Sequence, residues 1–110
     1  MTFAEYQKES KKTAIYKKIG DHKVLYPTLG LAGETGEVVD KMKKIFRDKD
    51  GVFSPEDIDG IKKELGDVLW YLSQIASDLE IDLDDVAKAN LDKLFSRMER
   101  NVLGGSGDER

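Results

Sequence analysis

Apolar residues recur at steps of three and four along most of this chain, and no stretch alternates apolar with polar as a half-buried strand would. The pattern predicts four helices. Thr2 and Glu5 form a capping-box signature for a first helix over about Thr2 to Lys18, with Phe3, Tyr6 and Ile15 among its apolar positions. GDHKVLYP reads as a connector, and Pro27 suits the first turn of a second helix running to about Phe46. After the turn RDKDGVF, Ser54-Pro55-Glu56-Asp57 supplies an N-cap, a proline at N1 and early acids for a third helix through Leu79. Asp82 and Asp85 open a fourth, ending near Arg100. The expected architecture is all-α: one bundle-like domain over residues 1–103, followed by a glycine-rich, non-helical tail over 104–110.

Two positions break the apolar stripes with acids. The second helix steps Leu31, Glu34, Val38, Met42, Ile45, and the third steps Ile61, Glu64, Val68, Leu72, Ile75. Glu34 and Glu64 thus face the core, with Glu37 and Asp67 flanking them three residues on. Spacing alone says little, because five i,i+3 acidic pairs occur in the chain. Those at 56/59 and 82/85 open helices, where the dipole favours negative charge. Facing pairs on two packed helices would instead gather up to four carboxylates, which repel strongly unless a cation joins them. All-oxygen ligands select Mg²⁺, Mn²⁺ or Ca²⁺ over zinc. The plainer account is ion pairing with lysines such as Lys41 or Lys63.

Glycines 30, 33, 36 and 66 lie beside these acids, each costing a helix interior about 0.5–1 kcal/mol relative to alanine. They call for close helix approach or for room to admit a ligand. Tyr71, one turn beyond Glu64 and Asp67, is placed to line a pocket there, whereas Trp70 reads as core. His22, the sole histidine, reads as an exposed connector residue, and one histidine cannot furnish the paired Glu-x-x-His motifs of a di-iron bundle. DKDGVFSPED is no calcium loop, because aligning Gly51 with the loop glycine puts Phe46 where the first acid belongs.

Composition narrows the function classes. With 18 basic and 22 acidic residues among 110, and no dominant basic tract, a nucleic-acid polymer is not the expected partner. Free nucleotides remain compatible, since a metal can screen their phosphates. There is no cysteine, no signal-like apolar run at the N-terminus and no segment able to span a bilayer, so the cytoplasm is the expected setting.

Glu34-x-x-Glu37, 26 intervening residues, then Glu64-x-x-Asp67 resembles the ExxE…ExxD pattern of the all-α nucleoside triphosphate pyrophosphohydrolases, the MazG-like family. ELGDVLWYL looks like its signature helix and ANLDKLFSR like the helix that follows, so the resemblance covers about residues 25 to 110. It implies a bundle with an oligomeric core, a homodimer or homotetramer. It also implies Mg²⁺, with Mn²⁺ as an alternative, held by Glu34, Glu37, Glu64 and Asp67. A nucleoside triphosphate would be cleaved between the α and β phosphates to give a monophosphate and pyrophosphate, one use being the clearing of unwanted nucleotides. Lys93 and Arg97 fall where the family places phosphate-binding basic residues, and Asn90, one turn earlier, would help orient substrate. Some relatives carry an acid just before the first ExxE glutamate; this chain has Gly33, which leaves Glu34 as the choice for activating water. Competing readings are a phosphoribosyl-ATP pyrophosphohydrolase and a non-enzymatic helical oligomer that binds nucleotide or a protein partner. Terminal glycines are usually mobile. The flanking Arg100 and Arg110 suggest another role for the tail: covering the active site of its own or a neighbouring subunit.

Overall fold

A computed structural model describes residues 1–110 as four helices: α1 (Phe3–Lys11), α2 (Leu25–Lys49), α3 (Pro55–Asp78) and α4 (Leu83–Glu99). No strand forms; Ile19 and His22 make one isolated bridge in the connector, where His22 is exposed. The backbone of the fold is the antiparallel hairpin of α2 and α3. Its turn is local chemistry. Asp50 ends α2 in the left-handed region (φ 51°), and Gly51 follows at φ 76°. The left-handed backbone favours glycine there, and a Cβ would also stand 2.9 Å from the Phe46 ring and oblige it to shift. Ser54 then caps α3: its hydroxyl accepts from Asp57 N (3.1 Å) while the Asp57 carboxylate accepts from Ser54 N (2.9 Å). Lys49 reaches the same carboxylate at 2.8 Å, and together these donors hold Asp57 down at about pKa 2.

Helix α2 starts two residues before Pro27, which sits buried at the third helical position, where no N–H is yet required by the ladder. It runs three residues past Phe46, to Lys49, because the left-handed Asp50 rather than the aromatic terminates it. The larger departure is α1, which stops at Lys11 rather than Lys18 and leaves Ile15 91% exposed instead of packed. Hydroxyls end it. Thr13 Oγ1 donates to Ser10 O at 2.7 Å and Ser10 Oγ to Gln7 O, so side chains compete with the helical ladder.

The same residues tie α1 to α3 through a polar seam. Gln7 Nε2 donates to Ser77 Oγ (3.1 Å), Ser10 Oγ meets Ser73 Oγ (3.3 Å) and accepts from Gln74 Nε2 (3.0 Å), and Trp70 Nε1 donates to Thr13 Oγ1 (2.8 Å). Steps of three on α1 thus meet steps of three or four, in reverse order, on α3. Ser73 and Gln74 are almost wholly buried, and each finds a partner in Ser10, as buried polar groups must. Beyond the helix, Tyr16 donates to Asp78 at 2.6 Å, with Lys23 at 3.6 Å from the same carboxylate.

Helix α4 packs on α1 and α3 but does not touch α2. Asp82 occupies its N-cap without a side-chain bond; the Gln7 amide oxygen accepts from Leu83 N (2.9 Å) in its place. The chain is accordingly open. Its radius of gyration is 17.0 Å, against roughly 13 Å for a compact chain of this length. Only nine residues are buried, and Leu72, expected in the core, lies at the rim with 37% exposure. Leu29, Val39, Phe46, Ile58, Leu65, Leu91 and Phe95 are each at least half exposed. No helix is long and apolar enough to cross a membrane.

Candidate functional site

Midway along the hairpin, α2 contributes Glu34 and α3 contributes Glu64 and Asp67, whose carboxylate oxygens all lie within 4.8 Å of one another. The apolar stripes place them: Leu31, Val38 and Ile45 on one helix and Ile61 and Val68 on the other turn inward, and the acids share their faces. Glu34 and Glu64 are half-buried and Asp67 is exposed at the mouth. Burial, and then the carboxylates of Asp67, Glu64 and Glu37, push Glu34 above the ordinary glutamate range. One cation answers them: Lys41 Nζ stands 3.6 Å from Glu64 Oε1. Lys63 pairs with Asp59 instead. Ion pairing with lysines is thus realised once, and it leaves the three-acid cluster short of positive charge.

Glu37 lies outside the triad, exposed, though its charge is felt by Glu34. Tyr71 lies across α2 above Gly30, where an added Cβ would overlap its ring. Burial, the Tyr26 hydroxyl and the carboxylates of Glu34 and Asp67 raise its phenol above the usual tyrosine value. Trp70, half-buried, meets Tyr71 and Tyr16 edge-on, and Tyr16 stacks on Tyr26 with centroids 5.1 Å apart. Sequence reasoning had not placed Tyr26 or Tyr6 at this site. Tyr6 is raised by burial and by Asp67. Both come from segments whose packing on the hairpin no local period reveals.

Close helix approach accounts for Gly30 alone. Gly33, Gly36 and Gly66 have nothing within 4 Å of where a Cβ would stand, so space lies open beside the acids. Gly30→Ala should therefore destabilise the chain by about 1–3 kcal/mol through overpacking against a ring held on two sides by other aromatics. Gly33→Ala should stabilise it by about 0.5–1 kcal/mol through helix propensity. Thermal denaturation of the two variants checks the opposite signs; equal shifts would contradict the packing.

Asn90, Lys93 and Arg97 lie on α4, with Asn90 exposed. Arg97 is buried, 5% exposed, and it and Lys93 pair with Asp108 of the tail. No hydrogen bond or ion pair joins these residues to the acids, and α4 does not reach α2, so one chain does not assemble the basic and acidic groups side by side.

The triad offers hard oxygen donors from two rigid helices, too few cations to neutralise them, and open space alongside. That donor set suits an oxygen-seeking divalent ion. The sequence model of the MazG nucleotide pyrophosphohydrolase domain matches residues 22–102, which span all four helix-borne acids and the basic pair on α4. The chain belongs to the MazG family. It is also similar to the gene 37 protein of Mycobacterium phage L5, with 49% identity over 109 residues covering 96% of each chain. No solved structure matches. The MazG match begins at the connector and leaves α1 outside, so Tyr6 and the polar seam belong to the part of this chain that the domain model does not reach.

Proposed function

We propose that the protein is a Mg²⁺-dependent nucleoside triphosphate pyrophosphohydrolase, Mn²⁺ being able to substitute. The convergence of Glu34, Glu64 and Asp67 from two helices, within a chain of the MazG family, carries this reading. In the reaction the oxygen of water bonds to the α phosphorus, the α–β bridging oxygen departs with pyrophosphate, and the water proton passes to a base. Glu34 is the proton acceptor of choice. In the cation-free chain burial and three neighbouring acids raise its affinity for protons; a bound cation would lower it, so the role of base is assigned from its place in the cluster. Glu64 and Asp67, with Glu34 and the flanking Glu37, would hold the cation. A divalent ion bound there supplies charge neutralisation on the phosphate oxygens. Lys93 and Arg97 would bind the departing pyrophosphate, Asn90 would orient substrate, and Tyr71 would line the pocket beside the acids.

Because α4 lies apart from α2, and because so much apolar surface is exposed, we take the working unit to be a homodimer or homotetramer that buries this surface. Association supports a complete site in which the two sets of groups approach each other. Sedimentation at micromolar concentration should give two or four times 12.4 kDa; a monomer at that concentration contradicts the assembly. The decisive assay measures pyrophosphate release with Mg²⁺ over the common ribo- and deoxyribonucleoside triphosphates. Silence across the panel would leave the non-enzymatic nucleotide- or protein-binding oligomer as the better reading.

A further inference from the structure

Helix α4 ends at Glu99, and the chain then turns back on it. Asn101 takes a left-handed backbone (φ 56°), Gly105 and Gly107 follow at φ 95° and 90°, and the last residues return to α4. What holds them is almost entirely polar. Asp108 Oδ1 accepts from Lys93 Nζ (2.8 Å) and Arg97 Nη2 (3.2 Å), while Asp108 O accepts from Arg97 Nη2 (2.6 Å). The Arg110 guanidinium donates to the carbonyls of Val102, Leu103, Gly104 and Gly107, closing the segment into a ring. Arg100 Nη2 donates to Arg110 O (3.0 Å). Of residues 101–109 only Val102 is even half-buried.

Beneath this ring Arg97 is an unusual cation. It is buried, its Nε has no partner at all, and its counter-ion is a carboxylate that is itself 75% exposed. A buried guanidinium whose charge is met by one exposed tail aspartate, with a lysine converging on the same oxygen, is a prepared site for an anion with several oxygens. An apolar plug would resist competition from such a ligand. A hold made of ion pairs and exposed hydrogen bonds yields to a stronger anion, because surface pairs are worth little individually.

We propose that the tail, residues 102–110, is a latch in which Asp108 stands in for a polyphosphate on Lys93 and Arg97, and that a polyphosphate ligand displaces it. The proposal rests on the reading of Lys93 and Arg97 as the phosphate-binding pair. In the latched state the cationic pair is occupied and the ring is closed. Binding exchanges one carboxylate for several phosphate oxygens, frees Asp108, and leaves Arg110 free to let the glycine ring open. Affinity for the anion is then lowered by the fraction of molecules in which the latch is shut.

The test uses inorganic pyrophosphate without divalent cation on the full chain. Backbone amide spectra should show Gly105 and Gly107 shifting saturably with pyrophosphate. Affinity by calorimetry should rise about tenfold in Asp108→Asn, as expected when a latch shut nine-tenths of the time is opened. Glu109→Gln makes the same charge change at an exposed neighbour with no partner, and should leave affinity near that of the parent. Arg110→Ala unties the ring without touching Lys93 or Arg97, so it should also tighten binding although it removes a positive charge. The latch is overturned if pyrophosphate does not bind, if it binds without moving the two glycines, or if Asp108→Asn tightens binding no more than Glu109→Gln. Hydrolysis of nucleotides with motionless glycines would overturn the latch alone. Displacement by pyrophosphate in a protein that hydrolyses nothing would uphold it and reject the enzymatic reading.

Discussion

Asp67→Asn is expected to remove nucleotide hydrolysis while making the cation-free protein more stable. The two effects have one origin. Asp67 sits within 4.8 Å of Glu34 and Glu64 and, after burial, is the largest cause of the raised Glu34 proton affinity. Losing one charge-bearing ligand should lower kcat/KM at least about 100-fold, since the bound ion is asked to supply several kcal/mol of charge stabilisation. Without an ion, the same substitution relieves repulsion.

The pH dependence follows from the sign of the Glu34 shift. The folded chain binds this proton more tightly than the unfolded chain, whose glutamate keeps its ordinary value of 4.5. The stabilising contribution of Glu34 is therefore fully present below that value and is lost as pH rises through the raised one. Asp40 and Asp57, both held near 2 by lysine and cap donors, behave oppositely: their contributions exist above 3.8 and vanish as pH falls towards 2. Comparing wild type with Asp67→Asn cancels the second set and isolates the first. Melting curves from pH 4 to 8, with and without Mg²⁺, should show the variant losing less stability with rising pH in the absence of ion. Wild type alone should gain a Mg²⁺-dependent rise in melting temperature. A variant that is active, or that melts lower than wild type without ion at neutral pH, would refute the arrangement.

Gln7→Ala should destabilise the chain to an extent comparable with Gly30→Ala, by loss of hydrogen bonds rather than by overpacking. One amide serves three partners: Ser77 Oγ, Ile81 O at 2.8 Å, and the Leu83 N–H that opens α4. Its removal separates α1 from the α3–α4 corner and orphans two backbone groups. At about 1 kcal/mol per bond, with some water replacing the exposed partners, the loss is about 2 kcal/mol. That corresponds to a fall of roughly 10 °C for a chain of this size. Glutamate at the same position would retain the acceptor for Leu83 N and lose the two donors. Gln7→Glu should therefore fall between wild type and alanine. Equal melting temperatures for Gln7→Ala and wild type would show that the amide is solvated rather than structural.

How far the sequence discloses this molecule depends on the range of the causes. The start of α3 was legible because Ser54, Pro55 and Asp57 are neighbours whose capping chemistry is complete within four residues. The apolar stripes, read in phase, put Glu34 and Glu64 on facing sides, and the hairpin brings them together with Asp67. Glu37 and Asp67 both lie a step of three, about 60°, off their stripes, yet only Asp67 converges; the spacing alone does not say which flanking acid will. The end of α1 was hidden. Ser10 and Thr13 are fixed by Ser73, Gln74 and Trp70, some sixty residues away, and nothing local in KKTAIYKK forbids a longer helix. Leu72 lies on the same stripe as Val68 and yet reaches the rim, because an apolar period says which residues share a face and not whether another element covers them. The partnership of Asp108 with Arg97 was equally hidden, since a glycine-rich segment advertises freedom rather than a destination.

The seam between α1 and α3 has a consequence for accuracy. A contact made of leucines tolerates a slip of one helical turn, 5.4 Å, with modest change in buried area. Donors and acceptors meeting at Gln7, Ser10 and Thr13 accept one alignment, so α1 is indexed rather than glued. Tyr6, the neighbour of Gln7, thereby stays within range of the Asp67 charge, with its position set by groups that never touch the acids. Replacing the seam with apolar residues of equal volume would keep the helix attached and leave it several places to sit, blurring one wall of the site without loosening the fold.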